Sequence, residues 1–222
     1  MPNKVVWSHS ALKDYESCAR KYHVVRVLKQ HKFVETEATK YGTQLHEAAE
    51  FYVRDGTPLP PQFDFVQPML DALIKKPGRK LCEYKMALTI DLQPCKWIDT
   101  EVWVRGIADL LIIDDENMTA WVVDYKTGNN KYPEREQLAL MSLMVFAHFP
   151  HIRKVNSALL FVVKNDMVKA SMSVDEAKDI WWEYRQRIAR IEAAHDNGVW
   201  NPKPSPLCPW CPVTSCEMHP KH

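Results

Sequence analysis

The chain has 222 residues, of which 46% are hydrophobic, and its 29 Lys and Arg nearly cancel its 28 Asp and Glu to leave a formal charge of +1. That composition supplies a normal core for one mid-sized domain and excludes a globally basic nucleic-acid binder, so any such site must be a local patch. No run of about 18 apolar residues is present to span a membrane, and the opening MPNKVVWSHSALKDYESC has no apolar signal-peptide core, which points to a cytoplasmic protein.

Residues 8–28 read as a helix, with Ser8 or Ser10 to cap it and Leu12, Tyr15, Ala19 and Tyr22 at helical spacing. A second helix is expected over 39–54, striped by Tyr41, Leu45, Ala48, Ala49 and Tyr52 and stopped by Asp55-Gly56 and the prolines that follow. A shorter helix covers 65–75. The period then changes to strands at 81–90, 102–113 and 119–125, the last two joined by the turn Asp114-Asp115-Glu116-Asn117, as an antiparallel meander. A helix follows over 134–149, then strands at 157–163 and 167–171. Ser173 and Glu176 form a capping box that opens a long helix to Asn197. The tail Asn201-Pro202-Lys203-Pro204-Ser205-Pro206 cannot be helical and reads as a stiff tether. The order predicts an α/β fold, a central mixed sheet flanked by helices.

Within the meander, Asp109 sits mid-strand, and Asp124 and Lys126 end the next strand. Residues two apart on a strand share a face, so Asp124 and Lys126 point the same way, and pairing can bring Asp109 beside them. Two carboxylates among Val, Leu and Ile repel one another unless a cation joins them. Mg²⁺ or Mn²⁺ held by such oxygens, with a lysine close by, suits phosphodiester hydrolysis. An isolated Asp-x-Lys would more often be a surface ion pair.

These residues do not stand alone. Gly106-Ile107-Ala108-Asp109 followed by Asp124-Tyr125-Lys126-Thr127-Gly128 resembles the core of the PD-(D/E)xK nucleases, in particular their RecB-type exonuclease branch. Upstream, Gly42 to Glu50 matches that branch's G-x-x-x-H-x-x-x-E helix, and Gln137-Leu138 matches a later Q-L motif, with Met141 where a tyrosine usually stands. The resemblance implies a restriction-endonuclease-like core within a single nuclease domain over 1–222, centred on 39–197. It implies His46, Asp109, Asp124 and the carbonyl of Tyr125 as metal ligands, with Asp109, Asp124, Lys126 and Gln137 catalytic. Glu50 and Glu83 are further acidic candidates, and Gln137 either contacts the nucleic-acid backbone or positions the lysine.

Cys208, Cys211 and Cys216 cluster as C-x2-C-x4-C, short spacing that lets thiolates converge on one metal. Either Cys18 or His219 can complete the set, the latter giving a pattern suited to Zn²⁺. The segment from Leu12 to Tyr22 resembles the first helix of AddB-type and CRISPR-associated iron–sulfur exonucleases, with Ala19 in place of their proline. This resemblance favours Cys18 and a [4Fe–4S] cluster, a metal-bound cysteine clasp that closes residues 8–28 and 201–219 onto each other. Cys82 and Cys95 look unconnected.

Arg20, Lys21, Arg26, Lys131 and Arg135 are candidate phosphate contacts, and Tyr22, Tyr125 and Tyr132 candidate stacking rings, while Trp181, Trp182 and Tyr184 read as core. The expectation is a metal-dependent DNA exonuclease acting on single strands or ends. It would serve recombination, repair or phage and mobile-element DNA processing, in the host cytoplasm if phage-encoded, with recombination or replication proteins as possible partners. The alternatives are a catalytically inactive DNA-binding or assembly module on the same fold, or a zinc-stapled interaction protein.

Overall fold

The helix expected over 8–28 is interrupted at Cys18. In the computed structural model, which describes residues 5–31, 34–128, 131 and 134–220, α1 (His9–Ser17) starts where the Ser8 side chain accepts from the Ala11 N–H at 3.3 Å. It ends because Cys18 takes an extended conformation, φ −164°. The chain restarts as α2 (Ala19–Tyr22) and continues as a π-helical turn over His23–Val27. The apolar spacing runs through this break, so periodicity alone could not reveal it. The Cys18 sulfur accepts from the Lys203 N–H at 3.4 Å, a partner remote in sequence.

Residues Glu35–Trp181 form one compact unit. Its first helix, α3 (Glu37–Asp55), begins two residues before the expected start, because Thr36 and Thr39 cap each other reciprocally. It stops at Gly56, whose φ of 70° is left-handed. A 3₁₀ turn over Pro61–Val66 leads into α4 (Gln67–Ile74). Strands β1 (Arg79–Leu88), β2 (Val104–Asp114) and β3 (Thr119–Lys126) make the expected antiparallel meander. Helix α5 (Arg135–His148) then crosses over to β4 (Lys154–Phe161), which is parallel to β3, and β5 (Asp166–Ser173) returns antiparallel. The sheet is mixed and five-stranded, in the order β1-β2-β3-β4-β5. Leu45 and Ala49 of α3 and Leu70 and Leu73 of α4 pack with Leu110, Ile112, Val123 and Leu160 on one face. Leu138 of α5 packs with Leu159 and Phe161 on the other.

One irregularity organises the functional end of this sheet. β1 and β2 pair as Cys82↔Leu110 and Tyr84↔Ala108, but Glu83 and Asp109 between them do not pair, and Glu83 has a φ of 47°. Cys82 and Leu110 belong to the α3/α4 face. Two residues on, Tyr84 meets His148 and Phe149 at the end of α5, and a Cβ on Gly106 would meet Met141 and Met144 of α5. The alternation therefore slips by one in both strands at the same level, which is what a pair of opposed bulges produces. A glutamate held left-handed costs on the order of 1–3 kcal/mol, a strain that concentrates at functional sites.

Helix α6 (Ala177–Asn197) follows a 3₁₀ turn capped by Ser173 and Glu176 and ends at Gly198, φ 66°. Trp181 and Tyr184 are buried as expected, but Trp182 is 64% exposed, because a neighbouring helical residue points about 100° away. Residues Met1–Val34 and Trp182–His222 together form a second compact unit. There Arg187 makes a bidentate pair with Glu16 at 2.6 and 2.7 Å, and the Tyr15 hydroxyl donates to the Arg190 carbonyl at 2.9 Å. Trp200 lies among Tyr22, His23 and His195, stacked on His23 at 4.6 Å. Among the described residues no helix is long and apolar enough to cross a membrane.

Candidate active site

The pairing of β2 with β3 stops at Leu110↔Val123, so the next residues, Asp109 and Asp124, face an opening between the strands. Asp109 uses that opening. Its Oδ2 accepts from the Tyr125 N–H at 2.7 Å, replacing the lost ladder bond. Helix α3 closes the same end from the other side. Gly42 comes close to Thr127, where a Cβ would lie 3.3 Å from its Oγ1, and one turn later His46 reaches the strand ends. His46 Nε2 sits 2.9 Å from the Tyr125 carbonyl, and Nδ1 sits 3.4 Å from Asp109 Oδ2. If Nε2 donates to that carbonyl, a neutral ring turns its Nδ1 lone pair toward a carboxylate, an arrangement that calls for a proton or a cation between them.

The left-handed Glu83 completes the cluster. Ligand atoms of His46, Glu83 and Asp109 lie within 4.8 Å of one another, the one such group of His, Cys, Asp or Glu among the described residues. In the sequence alone Glu83 and Glu50 are equivalent acidic candidates. The structure separates them, since Glu50 is taken up by an i,i+4 ion pair with Arg54. His46, Glu83 and Glu50 line a cleft of about 750 Å³ that runs along α3 past Thr39, Thr43 and Glu47.

A second triad adjoins this cluster. Lys126 Nζ lies 2.7 Å from Asp124 Oδ2 and donates to Gln137 Oε1 at 3.0 Å, while Gln137 Nε2 donates to Asp124 Oδ1 at 2.5 Å. Gln137 thus bridges the lysine and the carboxylate. Asp124 Oδ2 is buried, with the Lys126 ammonium beside it. Burial first, and the Asp109 charge second, push Asp124 up to about 6 against the opposing pull of Lys126. Burial lowers His46, but Asp109, Asp124 and the Tyr125 carbonyl together outweigh it and leave its pKa raised. Burial and the Asp109 charge likewise raise Glu83. A buried carboxylate, a converging His/Glu/Asp set and mutually repelling acidic groups fit a hard divalent cation.

The other candidates are dispersed. Arg26 pairs with Asp14, and Arg20 and Lys21 border the cysteine cavity. Lys131 and Arg135 are exposed, and Tyr125 is buried and cannot stack on a base. Tyr132 lies outside the described residues. Cys82 is an inert thiol, pushed up to about 11 by burial and by Glu50. In the smaller unit, Cys18, Cys208, Cys211 and Cys216 line one small cavity with His219. Cys208 Sγ accepts from the Ser205 N–H at 3.3 Å. No three of these sulfurs lie within 4.8 Å of one another, so no cysteine metal cluster is formed among the described residues.

Comparison with known proteins gives one family. A model described as the PD-(D/E)XK nuclease superfamily matches residues 6–216. No curated protein matches. Among solved structures, a "putative exonuclease" from Eubacterium rectale superposes with a TM-score of 0.54 at 12% identity, covering 94% of this chain and 88% of that one. A protein solved as SSO0001 gives a TM-score of 0.43 at 13% identity, covering 98% and 87%.

Proposed function

Because the chain belongs to the PD-(D/E)XK nuclease superfamily, we propose that it is a Mg²⁺- or Mn²⁺-dependent DNA exonuclease acting on single strands or DNA ends, in recombination, repair or phage and mobile-element DNA processing. The observation that carries this reading is the convergence of His46, Glu83 and Asp109 beside the Asp124–Lys126–Gln137 triad. His46, Asp109 and Asp124 would hold the cation, with Glu83 as a further ligand and the Tyr125 carbonyl available once the imidazole turns from it. When bound, the cation polarises the scissile phosphate and acidifies an attacking water.

The side chains divide the remaining work. Gln137 and Asp124 fix the Lys126 ammonium, so that its remaining donor capacity is aimed at the open side of the site. There it orients the water and stabilises the charge that builds on the phosphoryl oxygens. Asp109, by bonding the Tyr125 N–H, keeps the strand end in the conformation that presents Asp124 and Lys126 together. The test is digestion of end-labelled single- and double-stranded DNA with and without Mg²⁺ or Mn²⁺. Mononucleotides released from single strands or ends only with metal support the reading. Binding without cleavage overturns it in favour of an inactive module.

The cysteines of the smaller unit are read as ligands of a [4Fe–4S] cluster, with Cys18 joining Cys208, Cys211 and Cys216. Cys18, Cys208, Cys211 and Cys216 line one cavity, which supports this set, and His219 lines the same cavity as the alternative fourth ligand for zinc. Backbone N–H groups of Lys203 and Ser205 directed at sulfur provide the hydrogen bonds that such thiolates use.

A further inference from the structure

The loop between β1 and β2 leaves the sheet at the same end as the candidate active site, since β1 and β2 run antiparallel and Lys126 ends β3 there. It is not a slack loop. Cys95 N–H donates to the Ala87 carbonyl at 3.0 Å, Thr89 N–H to the Gln93 carbonyl at 2.9 Å, and Trp103 N–H to the Leu88 carbonyl at 2.8 Å. Pro94 bridges Leu88. From this anchored base the chain presents Trp97 and then Ile98, which is 88% exposed. Arg105 Cζ lies 5.2 Å and Lys85 Nζ 5.9 Å from the centre of the Trp97 ring. Lys85 pairs with Ile107 and Arg105 with Ala87, so the two cations are diagonal neighbours on one sheet face under one indole.

Ile98, almost wholly in water, adjoins an indole flanked by two cations, a combination of apolar surface, ring and positive charge that suits a single nucleic-acid strand. The patch also continues into the site. Lys85 lies two residues from Glu83, and its charge acts on that carboxylate. Arg105 lies four residues from Asp109, about 13 Å along the strand at ~3.3 Å per residue, a span of a few nucleotides.

We infer that Trp97, Ile98, Lys85 and Arg105 form a stacking platform for unpaired nucleotides of the strand whose phosphate occupies the His46–Glu83–Asp109 site. The inference rests on the nuclease reading for its ligand and adds where the strand runs. Bases stack on Trp97 and Ile98, and Lys85 and Arg105 contact phosphates on either side. Asp91, Asp99 and Glu101 share the loop. They offset the positive charges of Lys85, Lys96 and Arg105, so stacking contributes more than charge, and unpaired strands are favoured over duplex.

The test measures binding of a fluorescent single-stranded oligodeoxynucleotide by anisotropy, with Ca²⁺ in place of Mg²⁺. Trp97→Ala is expected to weaken binding about 5- to 100-fold, the range of one lost stacking contact. Ile98→Ala, at a position 88% exposed, is expected to weaken it about threefold or more without changing the melting temperature, which covers the case that Trp97→Ala fails to fold. Lys85→Gln and Arg105→Gln are each expected to flatten the salt dependence by somewhat under one unit of log–log slope. Ile98→Ala and Lys85→Gln proteins that bind like the parent overturn the platform, whatever the cleavage assay shows. A parent protein that binds through these residues but never cleaves leaves the platform standing and overturns the nuclease reading instead.

Discussion

Asp124→Asn is expected to lower metal-dependent cleavage by about a thousandfold or more while stabilising the metal-free protein. The loss follows from removing both a ligand and one of the two groups that fix Lys126, in a site where single electrostatic contacts are worth factors of about 10²–10³. The gain in stability follows from the same burial. Asp124 is 7% exposed, and burial with the Asp109 charge holds it up to about 6 against an ordinary value of 3.8. A carboxyl group whose pKa rises on folding penalises the folded state once it ionises. The penalty is absent below about pH 4, grows through the window up to 6, and is complete above it. In EDTA at pH 8 the substitution should therefore raise stability by on the order of 1–3 kcal/mol, and the advantage should shrink through pH 5 and vanish below about pH 4. The amide oxygen can still accept from Gln137, and the Lys126 ammonium, 30% exposed, turns outward from the new Nδ2 donor. Thermal melts of both proteins in EDTA across this range check the sign. A variant that keeps more than a tenth of the activity, or melts below the parent at pH 8, contradicts the assignment.

The second large effect belongs to the cysteines. Protein purified without oxygen is expected to be brown, with broad absorption near 400 nm. Cys18→Ser and Cys216→Ser are each expected to bleach it and lower its melting temperature by on the order of 10 °C or more, because cluster binding is folding free energy for the segments it joins. Cys216 is buried with Val24 and Val213, so part of any loss there is packing. Cys18 is half-exposed at a helix break and serves as the cleaner probe. Colourless protein that holds zinc, or a Cys18→Ser protein that keeps both colour and stability, contradicts the four-iron reading.

Much of this architecture was legible in the sequence because it depends on local periodicity. The meander of β1 to β3, the α5 crossover and the capping box before α6 all carry their own patterns. Asp109, Asp124 and Lys126 stand out as charges inside apolar strands, and the helical spacing of Gly42 and His46 puts both on one face of α3. What could not be read is whatever depends on a single backbone torsion or a long-range partner. Nothing in Leu81-Cys82-Glu83-Tyr84 announces a left-handed glutamate, yet that torsion accompanies the approach of Glu83 to His46 and Asp109, while Glu50, one turn beyond His46, pairs with Arg54. The break at Cys18 is hidden because the apolar spacing continues across it. The exposure of Trp182 between two buried aromatics shows the opposite failure, where aromatic character stood in for geometry. Trp97 is illegible for another reason: a ring in a polar loop has no period to mark it.

On the proposed reading, His46, Asp109 and Asp124, joined by Glu83, hold one divalent cation. Titration of Mn²⁺ into the metal-free protein, followed by electron paramagnetic resonance, tests it most directly. Binding should weaken at least tenfold in Asp109→Asn and in Glu83→Gln, and persist in Lys126→Ala, whose side chain serves the chemistry rather than the ion. Equal Mn²⁺ affinity in the parent and in Asp109→Asn would contradict it.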